Sequence, residues 1–72
     1  MVEVRFFAAA RAAVGAPTVS TPPGTLESLI SAFDYPVITK CSFLVNGVAE
    51  TNRSRSLVDG DTVDVLPPFA GG

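Results

Sequence analysis

The sequence predicts an α+β fold, one main helix packed on a mixed sheet of four to five strands. Two observations carry this. Both ends of the chain alternate with the period of a half-buried strand. Val2, Val4 and Phe6 oppose Glu3, Arg5 and Phe7 at one end, and Val63 and Val65 oppose Asp64 and Leu66 at the other. Between them a single apolar stripe, Leu26, Leu29, Ile30 and Phe33, has the i, i+3, i+4, i+7 spacing of one helix face. A third observation bounds the size. Seventy-two residues make one domain, and 47% hydrophobic content belongs to a folded globule, not a disordered chain. A domain this small buries only about 60% of its unfolded surface, so its core is small.

Taken in order, Val2 to Phe7 is the first strand, with Val2, Val4 and Phe6 toward the core. Phe7 falls on the other face with Glu3 and Arg5, where a large aromatic is either a contact for a partner or a strand end curling into the core. Ala8 to Ala13 is rich in helix formers but short, and Gly15 with Pro17 ends it, so one helical turn inside a hairpin loop is expected. Pro17 to Ser20 reads as a short second strand, closed by Pro22-Pro23-Gly24. Thr25 then N-caps the main helix, Glu27 sits at the positive end of its dipole, and the helix ends before Pro36.

Pro36 to Lys40 fits either a loop or a short strand. Cys41 to Val45 is apolar enough for a strand, Asn46-Gly47 is the favoured pair for a two-residue hairpin turn, and Val48-Ala49 begins the return. Glu50 to Ser56 is polar, and its Arg53 and Arg55 read as part of a solvated loop in preference to an anion site. Leu57-Val58 is a short apolar anchor, Asp59-Gly60-Asp61 a turn, and Thr62 to Leu66 the last strand. With the last strand beside the first and a crossover through the helix, this is the order of a β-grasp domain over residues 1–66.

Residues 67–72, Pro67-Pro68-Phe69-Ala70-Gly71-Gly72, are expected to form an extended C-terminal tail. Two prolines close off the last strand, because each lacks the N–H a ladder needs. Fully extended, the six residues reach on the order of 20 Å. Two residues without side chains let the tip enter a narrow channel. A carboxylate at Gly72, with a reference pKa of about 3.5, is ionised at neutral pH and attacks phosphorus without a general base. The bland alternative is a frayed terminus. The informative reading is a carrier that presents its own carboxyl end for adenylation.

The inventory excludes much other chemistry. The chain has no histidine, so Ser-His triads, His acid–base catalysis and His-ligated metals are ruled out within it. Cys41 is the single cysteine, so there is no internal disulfide and no CxxC metal knuckle; it reads as a small core hydrophobe in preference to a reactive thiol. Seven carboxylates against five basic side chains leave no basic patch, so nucleic acid is not an expected partner. No apolar run approaches a membrane span and no leader opens the chain, so a cytoplasmic protein without a membrane partner is expected.

The opening Val4-Arg5-Phe6-Phe7-Ala8-Ala9-Ala10-Arg11 followed by Val14-Gly15 resembles the start of the MoaD family, the small subunits of molybdopterin synthase. Val45-Asn46, then Asp59-Gly60-Asp61-Thr62-Val63 and the Pro67 to Gly72 ending, match the later signatures of that family, so the likeness runs nearly end to end. The related ThiS carriers share the Gly-Asp and Gly-Gly elements but usually lack the opening and the Pro-Pro, and rank second.

The resemblance implies a ubiquitin-like β-grasp fold and a non-catalytic sulfur carrier. A MoeB-like E1-type activating enzyme would consume ATP to adenylate Gly72, beside Gly71, and a sulfurtransferase would convert the adenylate to a thiocarboxylate. No cofactor would be bound permanently. Pro67, Pro68, Phe69 and Ala70 would enter a MoaE-like large subunit with the charged end, and two such pairs would form a heterotetramer. An apolar sheet face grips partners in the family, and by position this carries over to Phe7, Ala49 and Leu66, although Ala49 is small for its place. No function transfers to residues 34–42, where the chain is shorter than many relatives. Three alternatives stay open: a ThiS-like carrier for thiamine or cysteine synthesis, a ubiquitin-like protein modifier, and a plain β-grasp binding module.

Overall fold

The computed structural model describes residues 1–33 and 36–67. In chain order the elements are β1 (Val2–Phe6), α1 (Ala8–Val14), β2 (Thr18–Thr21), β3 (Gly24–Thr25), α2 (Leu26–Ala32), α3 (Pro36–Thr39), β4 (Ser42–Val45), β5 (Val48–Glu50), β6 (Ser56–Leu57) and β7 (Thr62–Leu66). Five strands form one mixed sheet in the order β2-β1-β7-β4-β5, with β7 parallel to β1 and antiparallel to β4. This is the β-grasp arrangement expected from the order of the elements, and ubiquitin-like as the resemblance to the MoaD family implies.

The register explains why the core closes. Val4 lies opposite Val63, which lies opposite Val45, and one row on, Phe6 lies opposite Val65 and Val65 opposite Phe43. All six are buried, and Leu26, Leu29 and Ile30 of α2 complete the cluster. Phe33, at the end of α2, meets Phe6 edge to face at 5.1 Å between ring centroids. The start of α2 is held by a capping box: the Ser28 N–H donates to the Thr25 hydroxyl and the Thr25 N–H to the Ser28 hydroxyl, both at 3.1 Å. The hairpin turn is as expected, with Asn46 at φ 52° and Gly47 at φ 83°, the pair of left-handed conformations that Asn-Gly adopts at low cost.

Four elements differ from the sequence reading. α1 runs for seven residues instead of one turn, because Ala10 is fully buried and Gly15, left-handed at φ 84°, caps it by donating to the Arg11 carbonyl at 2.8 Å. Residues 36–39 are a turn of helix, neither loop nor strand. Pro36 suits a first helical position, and complete burial of Ile38 outweighs the strand preference of Val37 and Ile38. Gly24–Thr25 and Ser56–Leu57 pair as a second, two-stranded sheet, too short for any period to be visible. The segment between β5 and β6 is also more tied down than a solvated loop: Arg55 donates to Glu50 at 2.9 Å, and Arg53 donates to the Thr39 carbonyl at 3.0 Å.

The end of the sheet near the hairpin turn is stitched by polar groups. The Asn46 amide donates to Asp61 at 3.0 Å, the Val58 N–H donates to its other oxygen at 2.9 Å, and the Thr62 N–H donates to Asn46 at 3.0 Å. The hydrogen bond from Asn46, then that from Val58, hold the Asp61 carboxyl below the usual carboxylate range. A carboxyl whose pKa is lower folded than unfolded stabilises the fold fully above the unfolded value of about 3.9 and loses that contribution as pH falls through the folded value. Asp61→Asn is therefore expected to lower the urea midpoint at neutral pH and to shrink the further drop between neutral pH and about pH 2. Midpoints for both proteins at both pH values measure this; an identical acid-induced drop would remove Asp61 from the account.

Candidate functional site

The chain leaves the sheet at the end of β7, where Leu66 lies opposite Ser42 of β4. Pro67, the first residue assigned to the tail, is buried. Pro68, Phe69, Ala70, Gly71 and Gly72 lie outside the described residues. The described part of the site is thus the base of the tail and the sheet face beside it.

That face is the one turned away from the core. The Phe7 N–H donates to the Val65 carbonyl at 3.2 Å, which extends the β1–β7 ladder by one residue and sets Phe7 beside Leu66. Phe7 is 36% exposed, so it does not curl into the core. Ala8 follows with φ 49° and turns the chain sharply from β1 into α1. In the next row, Leu44 lies opposite both Asp64 on β7 and Ala49 on β5. The sheet therefore brings Phe7, Leu66 and Ala49, expected from the sequence, onto one face together with Leu44, which the sequence reading passed over. Its signal was present: Leu44 is in phase with Ser42 and out of phase with Cys41, Phe43 and Val45, a large apolar residue on the solvent side of a strand.

The same face carries one ion pair. Arg5 Nε donates to one oxygen of Asp64 at 2.6 Å and Nη2 to the other at 3.1 Å, a two-point fork. Asp64 is 8% exposed, the one buried charged residue among those described. Its hydrogen bond, and then its charge, hold the Arg5 guanidinium more firmly protonated than usual. Neighbouring strands dictate the pair, since Arg5 and Asp64 are register partners on β1 and β7.

Beside β4 and β5 an open depression of about 250 Å³ is lined by Cys41, Phe43, Ala49, Glu50 and Arg53 among others. Cys41 is buried, its thiol donates to the Val37 carbonyl at 3.1 Å, and burial pushes its pKa up, so it is a core residue with little thiolate character. Among the described residues, no group of three His, Cys, Asp or Glu side chains is placed to hold a metal, and no helix is long and apolar enough to cross a membrane.

The model of the ThiS family matches residues 4–72, nearly the whole chain. The chain belongs to the ThiS family. No curated protein matches it in sequence. Among solved structures, it is similar to the putative molybdopterin converting factor subunit 1 of Pyrococcus furiosus, with TM-score 0.74 and 25% identity over 93% of this chain and 95% of that one. It is equally similar to a chain in the complex of subunits 1 and 2 of the molybdopterin-converting factor of Helicobacter pylori, with TM-score 0.73 and 25% identity over 99% and 97%. Small archaeal modifier protein 1 of Haloferax volcanii, at TM-score 0.73 and 23% identity over 99% and 98%, shares the fold. A ThiS family member with these neighbours is a ThiS/MoaD-type sulfur carrier, a class of small proteins that is generally non-catalytic. The family match and the two molybdopterin-converting-factor neighbours bear out the resemblance seen in the sequence, to MoaD within the wider group of MoaD and ThiS carriers.

Proposed function

We propose that this ThiS family protein is the sulfur-carrying small subunit of a molybdopterin synthase, working in the cytoplasm. The observation that supports this most is the likeness, over at least 93% of the chain, to subunit 1 of two molybdopterin-converting factors, one of them solved together with its subunit 2. The opening Val4 to Arg11 and the Pro67 to Gly72 ending agree with it.

In this reading the Gly72 carboxylate attacks the α-phosphorus of ATP in an E1-type activating enzyme, and pyrophosphate leaves. Sulfur from a sulfurtransferase system then replaces AMP at the acyl carbon, leaving a thiocarboxylate. Pro67, Pro68, Phe69 and Ala70 carry that group into the large subunit, where it supplies sulfur for the dithiolene of molybdopterin. The carrier contributes no acid or base of its own. Its part is an ionised carboxylate, a slim tip at Gly71-Gly72 and a sheet face that docks, through Phe7, Leu44, Ala49 and Leu66. The ATP is consumed by the activating enzyme, and no cofactor stays bound.

Intact mass after incubation with ATP, a matching activating enzyme and a sulfur donor tests the reading. A gain of one oxygen-to-sulfur exchange is expected. No gain with an enzyme shown to be active would overturn it. The fold shared with small archaeal modifier protein 1 favours a second reading, a modifier joined to lysines of other proteins. Covalent adducts in cell lysate, without the sulfur exchange, would select it.

The docking face has its own test. Phe7→Asp and Leu66→Asp place a charge on the solvent side of the sheet, so thermal midpoints should change little. Each buried, unpaired charge in the interface should weaken binding to the large subunit by ~100-fold or more. Wild-type affinity in both variants would rule this face out.

A further inference from the structure

The Arg5–Asp64 pair sits in the middle of the outer face, yet neither the tail chemistry nor the apolar contacts call for it. We propose that Arg5, clamped by Asp64, sets the specificity of this face, selecting a protein partner that presents neutral oxygen acceptors opposite it. Backbone carbonyls or the side-chain oxygens of Ser, Thr, Asn or Gln are the matching groups. The inference rests on the reading above that this face docks the large subunit.

Three observations lead there. First, a guanidinium has five N–H groups, and Asp64 takes two of them; the Arg5 side chain is 45% exposed, so the others are hydrated in the free protein. Second, Arg5 cannot be avoided. Its register partner Asp64 lies directly opposite Leu44, and Phe7 and Leu66 stand one row on. A partner that covers Phe7, Leu66 and Leu44 also strips water from Arg5. A purely apolar surface would leave those donors unpaired and is penalised, whereas a partner with oxygen acceptors there pairs them and would lose that pairing without Arg5. Third, Asp64 already neutralises the charge. A partner carboxylate would meet Arg5 only at the cost of standing near a second, buried carboxylate. A neutral oxygen satisfies the donors and adds no charge, so association should depend little on salt.

The test is the double variant Arg5→Leu/Asp64→Leu. Replacing a paired set of charges by apolar residues of similar size is often neutral or stabilising, so the fold is expected to hold, with an unchanged or raised thermal midpoint. Affinity for the large subunit, measured by calorimetry at low and high salt, is expected to fall ~10- to 100-fold, while the wild-type value moves little with salt. Unchanged or tighter binding by the double variant would overturn the proposal, and so would a steep loss of wild-type affinity at high salt. Should the double variant unfold, Arg5→Lys keeps the charge but loses the planar fork, and is expected to weaken binding in the same direction; full affinity there would be equally fatal. Phe7→Asp separates the two levels. If it and Leu66→Asp both bind normally, the docking face itself is wrong; if they bind weakly while the double variant binds normally, only the role of Arg5 fails.

Discussion

Phe6→Ala is expected to lower the thermal midpoint by more than ~10 °C. Phe6 is completely buried, sits opposite Val65 in the middle of the sheet, and packs edge to face on Phe33 at 5.1 Å with planes 76° apart. Truncating a buried Phe to Ala costs about 3–5 kcal/mol through lost transfer energy and an unfilled cavity. A domain of 72 residues has a total stability of only roughly 4–11 kcal/mol at the usual stability per residue. The loss is thus about a quarter of the stability or more, in a core too small to redistribute it. At about 4–8 °C per kcal/mol for a domain of this size, the thermal midpoint should fall by more than ~10 °C. Phe6→Leu, which conserves most of the volume, should cost far less, below about 1.5 kcal/mol. Circular dichroism melts of the two variants decide it. If Phe6→Ala melts within a few degrees of wild type, the packing described for Phe6 is wrong.

The second large effect is chemical and leaves the fold alone. Adding a single alanine after Gly72 is expected to abolish the ATP-dependent gain of sulfur, with an unchanged thermal midpoint. The extra residue moves the carboxylate one step outward and places a Cβ where the tail otherwise has none. Adenylation needs that carboxylate within bonding distance of phosphorus, and displacement of a reacting group by even 1 Å is enough to cost about 100-fold. Mass spectrometry of the extended and unextended chains, run side by side with the activating enzyme, reads the outcome. Equal sulfur gain in both would mean that the carboxyl end is not the reacting group. A plain binding module predicts a different pattern again, with partner binding intact in the extended chain.

Much of the fold was legible because its signals are local. The alternation of Val2 to Phe6 and of Thr62 to Leu66, the stripe on α2, the Thr25 cap and the Asn46-Gly47 turn each depend on a handful of adjacent residues, and all of them stand in the structure. Phe7 and Leu66 were placed on the outer face by the same reasoning, since the side of a strand is set by parity alone. The helix over residues 36–39 was not legible, because a buried Ile38 decides it against the preference of its own residues. The β3–β6 pair was invisible for a different reason: two residues carry no period.

The sequence by itself therefore determined which residues β1, α2 and β7 turn inward, and it carries the Pro67 to Gly72 motif on which the proposed carrier chemistry rests. Only the tertiary structure decided the register between strands that are distant in sequence, and that β4 lies on the other side of β7. That choice joins Phe7 to Leu66, puts Leu44 and Ala49 beside them, and pairs Arg5 with Asp64 across 59 residues of chain. Parity along a strand is a property of successive covalent bonds, whereas adjacency between strands comes from burying all the apolar faces at once, and no local stretch of residues encodes it.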